Sequence, residues 1–163
     1  MDLDRRRSLM QRYRDGAAVV AEALAGATDA ELDARPADGG WSAREVAIHL
    51  PDSEMNGAIR LRRLIAEEQP VIQGYDQDVY AQRLYYDRPI AASLAALAAI
   101  RTLTAELLDR LTEEEWQRTG THSEAGTYGV ITWLETYGAH AHDHADQIRQ
   151  ALAEARGQIA VTA

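Results

Sequence analysis

The fold and the chemistry of this chain are predicted most directly from YGAHAHDHADQI, residues 137–148, which contains three of its five histidines. A helix places His140 and His144 one above the other on one face, with His142 on the opposite side. Small and apolar residues continue the face of the pair, so we expect that face to point inward. Such a pair can offer two nitrogen ligands to one metal ion, and at least one more ligand must come from elsewhere.

His49 is the candidate for the third ligand. It follows a strong helix start at Ser42, whose side chain is predicted to form a capping box with Glu45. His49 lies on a mainly apolar face, where a lone histidine is usually an ordinary core residue. Pro51 removes the hydrogen bond to the carbonyl of Ala47 and predicts a kink close to His49. The kink is either a tolerated defect or a device that aims His49, and the sequence leaves both open.

The other histidines are not assigned as ligands. His142 has acidic neighbours and is predicted to face solvent, and His122 lies in a predicted polar loop. Asp52, Ser53 and Glu45, each about one turn from His49, are candidates for hydrogen bonds that orient the ligands. Buried imidazoles need partners for their ring nitrogens, but water or a buried carboxylate could serve in place of a metal ion.

Apolar residues at three- and four-residue steps predict four long helices and no strands. The helices are expected at residues 3–25, 42–67, 90–111 and 128–156. The segment at residues 69–89 is far longer than antiparallel neighbours need, so the second and third helices are expected to be parallel. The sequence therefore predicts an all-α fold, a four-helix bundle with one long crossover.

The composition is typical of a single globular domain, predicted here at residues 1–157 with a C-terminal tail at 158–163. The net charge of -9 disfavours nucleic acid and anionic membranes as partners. The absence of cysteine excludes disulfides, thiolate ligands and a thiol nucleophile from the protein itself. No apolar stretch is predicted to span a membrane, and the expected location is the cytoplasm.

Three motifs occur in a fixed order along most of the chain. They are Gly39-Gly40-Trp41-Ser42 with Glu45, then His49-Leu50 with Asp52-Ser53-Glu54, and finally His140-x-x-x-His144-x-x-Gln147-Ile148. Their order and spacing resemble the DinB-like superfamily of proposed metalloenzymes. The resemblance implies an up-down-down-up bundle, a homodimer, and a divalent metal ion bound by His49, His140 and His144. Pro51 departs from the family pattern, because a residue such as alanine would fit better within a helix at this position.

The resemblance also suggests an activity on a small molecule. Some members are thiol-dependent transferases, in which the metal activates a low-molecular-weight thiol, and others are described as hydrolases. Three neutral imidazoles leave coordination positions open, and a bound dication lowers the pKa of a coordinated water or thiol. The tyrosine-rich segment at residues 75–86 could cover the open side, although most of its tyrosines are expected to pack structurally.

We therefore expect a divalent-metal-dependent enzyme. Its first candidate activity is that of a low-molecular-weight-thiol S-transferase. The alternatives are a metal-dependent hydrolase, a non-catalytic metal- or ligand-binding stress-response protein, and an interaction module in which the histidines only pack. Nitrogen ligands do not distinguish zinc, nickel, iron, manganese and copper. No catalytic residue is assigned, since the glutamate of the zinc-protease motif is replaced by Ala141.

Overall fold

The structure is a computed structural model, which describes the backbone of residues 1–162 and the side chains of residues 1–157. Four long helices dominate it: α1 (Leu3–Ala23), α3 (Ala43–Ala66), α5 (Ala91–Leu108) and α6 (Val130–Thr162). Two short helices, α2 (Asp29–Asp33) and α4 (Gln77–Arg83), lie in the connections. The four long helices pack as a bundle, so the predicted fold class is confirmed.

The directions of the helices follow from the contacts between them. Helix α1 runs parallel to α6, α3 runs antiparallel to α6, and α3 runs parallel to α5. Helices α1 and α6 meet at Arg5–Glu135 and again, further along both helices, at Arg12–His142. Helices α3 and α6 meet at Gly57–Trp133 and His49–His144. The contacts that give the direction of α3 relative to α5 are Arg44–Arg88 and Arg62–Thr104. The bundle is therefore up-down-down-up, and the long crossover connects the two parallel helices as predicted.

A small three-stranded sheet corrects the prediction of no strands. Strand β1 (Val71–Ile72), in the crossover, pairs in parallel with β2 (Thr119–His122), which pairs antiparallel with β3 (Gly126–Gly129). The predicted polar loop at 120–126 is thus largely a hairpin. Its sequence lacks an apolar–polar alternation because β2 is mostly exposed and β3 is buried only at Tyr128 and Gly129. Pairing with the crossover, which sequence periodicity does not report, is what makes these residues a sheet.

The helix boundaries agree with the predictions at the starts that carry capping signals. Ser42 and Glu45 form the predicted capping box at the start of α3, which continues as an α-helix through Pro51. Helix α6 begins at Val130 because the preceding residues belong to β3. The predicted tail at 158–163 lies outside the described side chains, and only its helical backbone to Thr162 is described. The single domain at 1–157 stays a prediction.

Helix α5 corrects the expectation that no stretch of the chain is long and apolar enough to span a membrane. With a mean hydropathy of 1.4 over Ala91–Leu108, it is long and apolar enough to cross a membrane by length and composition alone. In the structure, it packs against α1 and α3 as one helix of the bundle. Its Arg101 is buried beside Glu54 of α3, which is an arrangement suited to a protein core.

The core consists of two apolar clusters with a polar layer between them. One cluster includes Val20, Leu50, Leu97 and Ile148, and the other includes Tyr13, Leu61, Leu108 and Trp133. On α3, α5 and α6, buried polar side chains lie between the apolar positions of the two clusters. Glu54 and Arg101 are buried at these positions and His140 is half-buried there, whereas His49 and His144 lie among positions of the first cluster.

Candidate metal centre

The antiparallel packing of α3 against α6 brings the three predicted ligands together. His49 is 1% exposed, and His140 and His144 are partly buried. Each can offer one ring nitrogen such that the three nitrogens lie within 4.8 Å of one another. The ring centroid of His49 lies 5.4 Å from that of His140 and 4.9 Å from that of His144. The histidines that the sequence places far apart therefore form one cluster.

The hydrogen bonding of the cluster is incomplete without a further group. Both ring nitrogens of His49 and the Nδ1 atom of His140 are buried, and they have no hydrogen-bond partner among the described side chains. The Nε2 atoms of His140 and His144 lie 3.1 Å apart. Buried polar atoms are normally paired, and nitrogen lone pairs that converge in this way suit a cation. The residues present therefore fit a divalent metal ion.

Gln147 holds His144 in the form that a metal ligand needs. Its Oε1 atom lies 2.7 Å from Nδ1 of His144. An amide oxygen only accepts hydrogen bonds, so Nδ1 carries the proton and Nε2 keeps its lone pair. Sequence reasoning placed Gln147 in a motif without giving it a role. The signal that could have found it is the three-residue spacing from His144, which puts both side chains on one helical face.

The electrostatics of the cluster also favour ligand chemistry. Burial, assisted by the charge of His144, lowers the pKa of His49 to about 4. Burial, with the charges of His144, His49 and Arg101, lowers the pKa of His140 to about 2. Burial also lowers the pKa of His144. All three imidazoles are therefore neutral at pH 7, which is the form that binds a metal ion.

An aromatic and acidic wall lies beside His49. The Trp41 ring packs edge-on against His49 with centroids 4.9 Å apart, and Tyr86 packs against Trp41 at 6.3 Å. The Tyr86 hydroxyl and Oδ2 of Asp52 are both buried, and neither has a hydrogen-bond partner among the described side chains. Burial, together with the neighbouring Asp52 carboxylate, raises the pKa of Tyr86. The tyrosine-rich segment thus contributes Tyr86 to the wall of the site.

The remaining candidates lie at different distances from the cluster. The carbonyl of Ser53 accepts a hydrogen bond of 3.3 Å from the hydroxyl of Tyr137, a ring that packs on His140. A ring nitrogen of His142 lies 2.9 Å from the carbonyl of Arg12, so this half-buried histidine contacts α1. His122 lies in the hairpin, where it is 9% exposed, and is not part of the three-histidine cluster.

A buried ion pair in the same layer was not foreseen. Oε1 of Glu54 and Nη1 of Arg101 lie 3.2 Å apart, and Tyr13 donates a hydrogen bond of 2.9 Å to Oε2 of Glu54. Arg101 also donates to the carbonyls of Tyr13 and Tyr137 at 2.8 and 2.7 Å. The available signal was a lone arginine within the mainly apolar α5. Arg101 ties all four long helices together beside His140.

Comparison with known proteins identifies the family of this chain. The model of the DinB superfamily matches residues 12–148. A protein of Oceanobacillus iheyensis named as a proposed metal-dependent hydrolase is 37% identical over 114 residues, which cover 70% of this chain and 66% of that protein. The Bacillus subtilis protein YfiT, also named as a proposed metal-dependent hydrolase, is 35% identical over 129 residues, covering 76% and 70%.

A solved structure extends the similarity to the whole fold. The structure of YfiT from Bacillus subtilis, described as a probable metal-dependent hydrolase with an unusual four-helix bundle topology, matches with a TM-score of 0.89 at 28% identity. The match covers 96% of this chain and 90% of that one. Sequence and structure therefore agree on the family. This chain belongs to the DinB superfamily.

Proposed function

We propose that this protein is a metal-dependent hydrolase of a small molecule, whose divalent metal ion is held by His49, His140 and His144. The observation that carries the proposal is the cluster of three neutral imidazoles, with ligand nitrogens within 4.8 Å of one another. The two buried ring nitrogens of His49, which have no hydrogen-bond partner within residues 1–157, support it further. The naming of its relatives as proposed metal-dependent hydrolases supports hydrolysis as the reaction class.

Three neutral imidazole ligands leave the full charge of a dication uncompensated and leave coordination positions open. When bound, such an ion supplies Lewis acidity, which lowers the pKa of a coordinated water toward neutrality. The chain contributes the orientation of the site. Gln147 fixes the tautomer of His144, and Trp41 packs on His49 and excludes water from that side. Imidazole ligands suit zinc, nickel, iron and copper, and they do not by themselves distinguish these metals from manganese.

Transfer of a low-molecular-weight thiol is the second candidate. The chain has no cysteine, so any thiol in the reaction must arrive as a substrate. The same open positions that suit water also suit a thiolate, which binds zinc and similar ions well.

We also propose that the protein is a homodimer and is located in the cytoplasm, as expected from the sequence. Sedimentation at several protein concentrations tests the dimer.

The first experiment measures the metal content of untagged protein by elemental analysis, for wild type and for the His49→Ala and His144→Ala variants. We expect about one metal ion per chain in wild type, in line with one three-ligand site, and loss of the ion in both variants. His142→Ala is the matched control, because His142 lies between the ligands in sequence but contacts α1. A wild-type protein that takes up no zinc, nickel or manganese would overturn the proposal.

The second experiment separates the two reaction classes. Metal-loaded protein is incubated with a panel of small carboxylic esters and amides, and separately with an electrophile and a small thiol. Hydrolysis that is lost on chelation and in His144→Ala supports the hydrolase. Metal-dependent consumption of the thiol, without ester or amide hydrolysis, would replace the hydrolase with the transferase.

A further inference from the structure

A cavity of about 230 Å³ adjoins the candidate metal centre. Its walls come from α3, α6, the crossover and the β2–β3 hairpin, through Ser53, Arg60, Tyr75, His122, Glu124 and His140. At about 30 Å³ per water molecule, it holds roughly eight waters, or one small organic ligand. Because His140 forms part of the wall, a ligand in the cavity lies beside the metal centre.

Arg60 brings a positive charge to this cavity. Its Nη2 atom donates a hydrogen bond of 2.7 Å to the carbonyl of Gln73, and its guanidinium lies 5.5 Å from the centroid of the Tyr75 ring. These contacts orient the group but use few of its five N–H donors. Among the described side chains, Arg60 has no ion pair with a carboxylate. The half-buried guanidinium of Arg60 therefore keeps its positive charge available to a ligand in the cavity.

His122 contributes a hydrogen-bond donor of fixed tautomer. Its Nδ1 atom accepts hydrogen bonds from the backbone N–H groups of Glu124 and Ala125, at 3.2 and 3.3 Å. An atom that accepts these bonds cannot carry a proton, so the neutral ring is protonated on Nε2. Within the described part of the chain, Nε2 makes no hydrogen bond. The hairpin therefore leaves an N–H donor for a ligand in the cavity.

We propose that Arg60 and His122 form an anion subsite that binds a carboxylate group of the substrate. A guanidinium and an imidazole N–H give a carboxylate charge-assisted hydrogen bonds, which are stronger than neutral ones. Glu124, which is exposed and also borders the cavity, opposes any anion, and its repulsion grows with the negative charge of the ligand. The subsite therefore favours a monoanionic carboxylate over a phosphate, which carries more negative charge.

This inference deepens the proposed function. It rests on the proposed function only for the reaction that the bound molecule undergoes. If the protein is a hydrolase, its substrate is a small ester or amide with a carboxylate a few atoms from the bond that is cleaved. The subsite itself requires no turnover. It can be tested on metal-free protein, where a carboxylate cannot bind to the metal instead.

The test is a titration of metal-free protein with butyrate, with butyramide and with inorganic phosphate, followed through the ring resonances of His122 by NMR. Butyrate and butyramide have nearly the same size and differ in charge. We expect saturable shifts with butyrate, at least tenfold weaker binding of butyramide, and weaker binding of phosphate than of butyrate. Equal binding of butyrate and butyramide would overturn the subsite, and tighter binding of phosphate would overturn its preference for a monoanion.

Variants assign the subsite to its residues. Arg60→Gln should weaken butyrate binding at least tenfold, and Glu124→Gln should strengthen it. Arg63→Gln is the matched control, because Arg63 lies on α3 nearby and pairs with Glu67 outside the cavity. Unchanged binding in Arg60→Gln would overturn the assignment. If Arg60→Gln does not fold, the test uses Arg60→Lys and Glu124→Gln instead. Unchanged butyrate binding in both of these variants would overturn the assignment.

Discussion

Glu54 of α3 and Arg101 of α5 form an ion pair in the middle of the bundle, with Oε1 and Nη1 3.2 Å apart and side chains that are 0% and 1% exposed. The guanidinium also lies 4.2 Å from the centroid of the Tyr13 ring. Burial raises the pKa of Glu54, and the charge of Arg101 and the Tyr13 hydroxyl oppose that shift. The pair is separated in sequence and is formed only when α1, α3, α5 and α6 pack together.

Arg101→Met is expected to lower the free energy of unfolding by about 3–5 kcal/mol, the cost of removing one partner of a buried pair. The change leaves Glu54 buried without a counter-charge and leaves two carbonyls without their donor. Urea denaturation gives the measurement. Arg149→Met is the control, because the exposed Arg149–Asp146 pair contributes no more than about 1 kcal/mol. A loss in Arg101→Met as small as in the control would contradict the prediction.

Gly57→Ala is expected to destabilise the protein by about 1–3 kcal/mol through overpacking. An added Cβ atom would overlap the ring of Tyr137, which cannot move freely because its hydroxyl is bound to the carbonyl of Ser53. Thermal or urea unfolding checks the effect. The matched control is Gly157→Ala on α6, where the added methyl group has no neighbour within 4 Å in the described part of the chain apart from the backbone of its own helix. There, helix propensity predicts a small gain, up to about 1 kcal/mol. Equal stability of the two variants would count against the tight contact.

Gln147→Ala is expected to weaken metal binding by about 10- to 100-fold, the usual effect of losing a group that orients a ligand. The reason is that Nδ1 of His144 loses its partner, so the ring is no longer held with Nε2 free. Competition with a chromophoric zinc chelator measures the affinity. Gln150→Ala provides the comparison, since the Gln150 amide donates to Glu154 on an exposed part of α6. An unchanged affinity in Gln147→Ala would show that the tautomer is set by something else.

The metal-free protein is expected to lose stability as the pH falls from 6.5 toward 4. The ordinary pKa of histidine is 6.5, and that of His49 in the folded chain is about 4. Between these values the unfolded chain binds more protons than the folded one, so acid favours unfolding. Above pH 6.5 the contribution of His49 is fully present. His140 acts in the same direction over a wider range.

The measurement is urea unfolding of chelator-treated wild type and of the His49→Gln variant across this pH range. The variant lacks one of the titrating groups, so its stability should fall less steeply than that of wild type. Parallel pH profiles for the two proteins would mean that His49 is not buried in its neutral form.

Much of the fold could be predicted because it depends on short-range geometry. The spacing of His140 and His144 puts them on one face of any α-helix, and the capping box of Ser42 and Glu45 fixes where α3 starts. The length of the crossover indicated that α3 and α5 are parallel, since a chain must travel the length of the bundle to return in the same direction. These features require only the periodicity and reach of the backbone.

The sheet and several contacts of the site could not be predicted from sequence. Only His122, Tyr128 and Gly129 of the hairpin strands are buried, so their sequence carries no strand pattern, and it is pairing with the crossover that makes them a sheet. The roles of Arg60 and His122 depend on a cavity that four separate segments enclose. No local pattern reports such a juxtaposition.

By itself, the sequence determined the four helices, their order and the shared helical face of His140 and His144. Helix periodicity and capping act over only a few residues, so they can be read without the tertiary structure. Only the tertiary structure decided that His49 faces His140 and His144, and that Arg101 meets Glu54. Those distances depend on the rotation and register of one helix against another. Packing of side chains from the whole bundle sets that register.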